Sequence, residues 1–174
     1  MIVYHGSNHD FEQARILPIK YPLDFGVGFY TTKYEQQAVN WALRKARRLR
    51  GQPYVYVYEL QEKSGLNVAH FEAIDEAWLD FIVKHRGYSA YQKNTQGLYL
   101  KSTTHHNFDI VQGEVADDEV IDVVDGYLNN RYDLQEALKR LRYKKHNHQL
   151  VCSTEKSLQA LILKERYVCS PSIG

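Results

Sequence analysis

The stretch Tyr54-Val55-Tyr56-Val57-Tyr58-Glu59-Leu60 sets valine against tyrosine at successive positions, the period of two that belongs to an extended strand with two unlike faces. The rest of the chain has to supply partners for that strand. Residues 1–5 (MIVYH) read as a strand cut off by the turn formers Gly6, Ser7 and Asn8. After a loop with Pro18 and Pro22, Phe25 to Thr32 (FGVGFYTT) reads as a short strand entered through a tight glycine turn. From Tyr34 to Leu49 the residues Ala38, Trp41, Ala42, Ala46 and Leu49 recur at helical spacing, and Gly51 with Pro53 ends the run. Further helices are expected over 73–84, 115–128 and 133–142, and a short one from Ser153-Thr154 to Leu161. Strands are expected at 109–111, 149–152 and 166–169, with short ones around 98–100 in a weakly patterned stretch.

Short strands with two-sided alternation, and no glycine-rich strand-to-helix turn of the dinucleotide or P-loop type, favour α+β over a doubly wound parallel sheet. The expectation is a small split or curved, mainly antiparallel sheet with flanking helices. At 174 residues the chain suits one domain, 1–170, with a frayed tail at 171–174. Its formal charge of +1 argues against a protein that coats DNA or a membrane surface through bulk charge. Cys152 and Cys169 stand at no redox or metal spacing and are expected as reduced, buried thiols. The N-terminus lacks a signal-peptide pattern and no run approaches a membrane span, so a cytoplasmic location without membrane partners is expected.

The chemistry-bearing residues lie in two glycine-containing segments. Tyr4-His5-Gly6-Ser7 is followed about 20 residues later by Asp24 to Thr32 (DFGVGFYTT), and then by Gln37 to Ala42 (QAVNWA). This combination resembles the NAD-binding heart of the diphtheria-toxin and poly-ADP-ribose-polymerase branch of the ADP-ribosyltransferases. It looks most like a bacterial family placed in that superfamily whose members carry DFG-x-GFYTT. The likeness is strongest over 1–45 and returns near 105–160. It implies NAD as substrate and no metal. His5 would hydrogen-bond a ribose hydroxyl of the adenosine half, the Gly6 backbone would pair with the nicotinamide carboxamide, and Ser7 would flank that pocket. Tyr30, entered through Gly28 and Phe29, would be the first ring stacked on nicotinamide, and Trp41, eleven positions later, the second. Two such walls would each add about 0.5–1.5 kcal/mol beyond burial.

The likeness breaks at the late strand. Where that superfamily usually places a glutamate, this chain has Gln149. A glutamine amide can still position a ribose hydroxyl, but the charge that would face the developing oxocarbenium ion is gone. Glu155 is not a substitute, since a carboxylate there suits the first turn of the helix after Thr154. The implied function is NAD-dependent mono-ADP-ribosyl transfer through His5, Tyr30 and Gln149 to a protein or nucleic-acid acceptor. Small members of the superfamily are often toxins, which implies an antitoxin protein as a further partner. The alternatives are NAD hydrolysis and an inactive NAD- or ADP-ribose-binding module.

Two basic runs, Arg44 to Arg50 and Lys139 to His148, read first as solvated faces and second as patches that steer a dinucleotide or a nucleic acid. His105-His106 reads as surface loop, and Asp109 to Asp118 as a segment with a structural turn at Gly113. Cys152 and His148 are too poorly placed along one strand for a cysteine hydrolase.

Overall fold

The computed structural model describes residues 1–20, 23–62, 65–86, 91–93, 99–102, 107–115, 118–141 and 147–170. Pro22, His105-His106, Asp117, the centre of the second basic run and the tail at 171–174 lie outside them. In chain order the elements are β1 (Ile2–Ser7), β2 (Phe29–Thr31), α1 (Glu35–Leu49), β3 (Tyr54–Leu60), β4 (Val68–Phe71), α2 (Glu76–Arg86), β5 (Tyr91–Lys93), β6 (Tyr99–Ser102), β7 (Ile110–Val115), α3 (Asp118–Leu128), α4 (Leu134–Leu141), β8 (Asn147–Cys152), α5 (Glu155–Leu158) and β9 (Leu161–Val168). The chain is α+β, as its pattern predicts.

The strands form a three-stranded sheet ordered β1-β3-β9, a four-stranded sheet ordered β2-β8-β7-β4, and the hairpin β5-β6. Every pairing is antiparallel except β4 with β7. Among the described residues the two larger sheets meet at a single bridge, Tyr4 with Thr32, closed by reciprocal backbone bonds of 2.7 and 2.9 Å.

The alternation of β3 explains the layering. Its valine side, at Val55, packs with Ala38 and Ala42 of α1 and with Tyr4 of β1. Its tyrosine side, Tyr56 and Tyr58, packs with Val3 and meets Phe29, Leu150, Cys152 and Ile110 of the second sheet. The second sheet's far face, at Val111 and Val151, takes Trp78, Leu79 and Ile82 of α2, Val123 and Val124 of α3, and Ala137 and Leu141 of α4. Each such fully buried Leu or Ile contributes about 1.5–3 kcal/mol. The Trp78 indole N–H donates to the Glu114 carbonyl at 2.8 Å, so its polar atom is satisfied in that core.

Several boundaries differ from the sequence pattern for identifiable reasons. Strand β1 does not stop at His5: Gly6 and Ser7 continue the ladder opposite Val55 and Tyr54. Gly113 is no turn either, because it lies inside β7, where an added Cβ would stand 2.8 Å from the Phe71 Cβ on β4. Both glycines serve close approach. Gly26 and Gly51, by contrast, do carry positive φ (82° and 110°), at the entry to β2 and beyond the end of α1. Strand β9 begins at Leu161, well before Arg166, and β4 carries no mark in the sequence pattern. Helix α5 opens on a capping box in which Thr154 and Ser157 bond reciprocally, with Glu155 in its first turn.

Candidate functional site

Of the sequence-predicted residues, the seam between the two sheets joins the His5 side chain to the Tyr30 main chain. Beyond the Tyr4–Thr32 bridge β1 and β2 diverge, and the His5 side chain spans the fork: its Nδ1 lies 2.6 Å from the Tyr30 carbonyl. A carbonyl only accepts, so Nδ1 carries the proton and Nε2 keeps its lone pair. The ring stacks on Phe29 at 4.4 Å and meets Phe11 edge-on at 5.7 Å. Burial among these rings lowers the His5 pKa to about 4, outweighing the opposing effect of the Tyr30 bond, with smaller lowering contributions from the Lys45 and His9 charges. The imidazole is therefore neutral at pH 7.

Tyr30 sits opposite Val151 of β8, so Gln149, two residues from Val151, is its diagonal neighbour on the same face, about 7 Å away. Its phenol packs toward the Phe25 and Val151 core and donates to the Gly26 carbonyl at 2.6 Å. The Gln149 Oε1 is buried and has no hydrogen-bond partner among the described residues. Gly28 lets β2 lie against β8, since a Cβ there would stand 2.4 Å from Val151 Cγ1. Phe29 is buried on the other face of β2. His5, Tyr30 and Gln149 thus occupy three neighbouring strands, β1, β2 and β8. The imidazole meets the Tyr30 main chain, however, while the Tyr30 ring turns to the opposite face.

Gly6 has a packing reason for its missing side chain: a Cβ would stand 2.3 Å from the Ala38 carbonyl and 2.9 Å from the Ala42 nitrogen. Helix α1 is seated directly on it. Ser7 is buried and its hydroxyl donates to the His9 carbonyl at 2.9 Å. Trp41 is half exposed on α1, with the Arg44 guanidinium 5.7 Å and the Lys45 ammonium 5.8 Å from its ring centre. It makes no ring contact with Tyr30.

Three residues outside the sequence-predicted site, Gln37, His148 and Lys45, take part in the geometry around it. Gln37, which opens the QAVNWA segment, donates from Nε2 to the His148 carbonyl at 2.9 Å and accepts from the His148 N–H at 3.1 Å. It binds α1 to the start of β8. Trp41 follows four positions later, on the same flank of the helix. Burial holds the His148 pKa down at about 4. Burial also depresses Lys45, which has no carboxylate within ion-pair distance among the described residues. Only the amide at Gln37 could have been noticed, as the polar residue that opens the QAVNWA segment.

Other candidates settle into structural roles. The Cys152 thiol is pushed up to about 12 by burial, and neither Cys152 nor Cys169 is in a disulfide. The Asp109 carboxylate accepts from the Asn67 N–H at 2.9 Å and from the Thr154 hydroxyl at 2.7 Å, tying the start of β7 to its neighbours; these bonds hold it below its usual range. Among the described residues there is no His, Cys, Asp and Glu group fit for a metal ion, and no helix long and apolar enough to cross a membrane.

No curated protein and no solved structure matches the chain. Over residues 1–163 it matches the family described as protein of unknown function DUF3990, and it belongs to that family.

Proposed function

We propose that the protein binds NAD at the fork between its two sheets and transfers ADP-ribose to an acceptor. The observation that carries this reading is the His5–Tyr30 link at the seam, with Gln149 on the adjoining strand. A neutral imidazole bonded through Nδ1 offers Nε2 to a ribose hydroxyl. The Gln149 Oε1, on the Tyr30 face of β8 rather than the face of the His5 ring, is a buried acceptor without a donor among the described residues, and a ligand hydroxyl reaching that face would supply one. In the reaction the bond between nicotinamide and ribose breaks with its electron pair leaving on nicotinamide. The acceptor then attacks the oxocarbenium carbon and loses its proton. With water as acceptor the same site is an NAD glycohydrolase.

One observation favours a second reading. Gln149 is uncharged, so the site can hold the ribose without stabilising the cation, as an NAD- or ADP-ribose-binding module would. Calorimetric titration with NAD, run beside an assay of released nicotinamide, separates the two. Binding with release supports the transferase or glycohydrolase, and binding without release supports the module. No binding, or release that survives both His5→Ala and Tyr30→Ala, overturns the site.

A further inference from the structure

Helix α1 carries Arg44, Lys45, Arg47, Arg48 and Arg50 at and just beyond its C-terminal end. None is ion-paired among the described residues. The helix's one acid, Glu35, is at its other end, engaged with the Tyr167 hydroxyl. Gln37, Trp41, Arg44 and Arg48 follow one another at spacings of four, three and four, which lines them along a single flank. That flank starts at the Gln37 contact with β8 and ends beside the turn after β1, where the Asn8 amide donates to the Arg50 carbonyl at 2.9 Å. Arg47 and Arg50 extend the charge around the helix.

The helix dipole accounts for some cations at this end. It does not account for a half-exposed indole among them, nor for five cations in seven positions. A dinucleotide has two phosphate charges, too few to face this set, so the complement is a polyanion that also has flat rings to stack. We propose that this flank of α1 binds single-stranded nucleic acid, with Trp41 as the stacking platform and the arginines and lysine along the phosphates. A base settling on Trp41 moves Arg44 or Lys45 off the ring and onto the adjoining phosphate, exchanging a cation–π contact for a charge pair. That the nucleic acid is also the ADP-ribosyl acceptor rests on the function proposed above; the surface itself does not.

Engagement of three to five cations gives a salt slope of about −2 to −3.5 in log K, so affinity falls about 20- to 100-fold between 50 and 200 mM salt. Fluorescence anisotropy with a labelled 15-nucleotide RNA, the matching single-stranded DNA, the duplex and a glutamate-rich peptide measures this. The expected result is a single strand preferred over duplex and peptide, binding about 10-fold weaker in Trp41→Ala, and a reduced slope in both Arg47→Gln/Arg48→Gln and Arg47→Glu/Arg48→Glu. No binding at 50 mM salt, tighter binding of the peptide or duplex, or full affinity in the Arg47/Arg48 variants overturns the proposal. NAD titration of the same samples keeps the two readings apart. Oligonucleotide binding without NAD binding retains the surface and removes the enzyme, and the reverse removes only the surface.

Discussion

Replacing Gly6 by alanine tests whether this glycine is the seat of α1. The new Cβ would stand 2.3 Å from the Ala38 carbonyl oxygen and 2.9 Å from the Ala42 nitrogen, both backbone atoms of α1 with no rotamer to change. An ordinary contact begins near 3.4 Å, so the helix has to withdraw by about 1 Å. Withdrawal loosens the packing of Ala38 and Ala42 on Val55 and Tyr4 and stretches both Gln37–His148 bonds. Overpacking of this kind costs about 1–3 kcal/mol, and the two strained hydrogen bonds move the figure to the upper end, about 3 kcal/mol. With an m-value of about 2 kcal/mol/M, the urea midpoint falls by about 1.5 M. Gly65→Ala is the comparison: Gly65 has φ 84° but, among the described residues, only the Lys156 Nζ, at 3.7 Å, near its would-be Cβ. That change costs only backbone strain, about 1–2 kcal/mol, or about 0.5–1 M. A Gly6→Ala midpoint within 0.3 M of the wild type, or above that of Gly65→Ala, refutes the seating argument.

Gln149→Glu places a carboxylate on the Tyr30 face of β8. A full charge about 4 Å from the reacting ribose is worth roughly 4 kcal/mol at an effective dielectric near 20, so nicotinamide release is expected to rise by up to about 1000-fold; an unchanged single-turnover rate in a folded variant that still binds NAD refutes the assignment. His5 and His148 have folded pKa values of about 4 against 6.5 unfolded, so between those values the unfolded chain binds more protons. Stability from these two groups is complete above pH 6.5 and declines as pH falls toward 4, by up to about 1.4 kcal/mol per pH unit for each. Urea midpoints at pH 7.5, 6 and 5 check this, and a midpoint that does not move between pH 7.5 and 5 contradicts it.

What was legible in the sequence was periodicity. The valine and tyrosine alternation of β3 and the spacing of Ala38 and Ala42 in α1 are both consequences of burial on a defined face, and both elements appear where the pattern puts them. The first half of strand β9 was not legible, because from Ile162 to Arg166 its residues are exposed and carry no alternation; the ladder with β3 alone defines it. Glycine was ambiguous by nature. Gly26 and Gly51 permit a positive φ, while Gly6 and Gly113 permit a neighbour's approach, and a sequence writes both with the same letter. At the site, His5, Tyr30 and Gln149 came from a family resemblance, since nothing in their spacing says that β2 and β8 are neighbours. Gln37 and Lys45 take their significance from what lies across the fold, His148 for one and His5 for the other.

The seam has a requirement of its own. Two strands that part after one bridge leave main-chain groups without ladder partners, and buried carbonyls and amides must be satisfied. Here side chains supply such bonds: His5 Nδ1 serves the Tyr30 carbonyl where β1 and β2 part, and Gln37 serves both the carbonyl and the N–H of His148 just beyond the end of the β2–β8 ladder. A main-chain ladder would have zipped β1 to β2 along their length and closed the fork. A side chain meets the same demand from one point and leaves its remaining atoms, the Nε2 of His5 above all, turned to other uses. If NAD enters the fork as proposed, the side chain that links the two strands there is also the one it would meet, so a structural and a functional account of His5 do not compete.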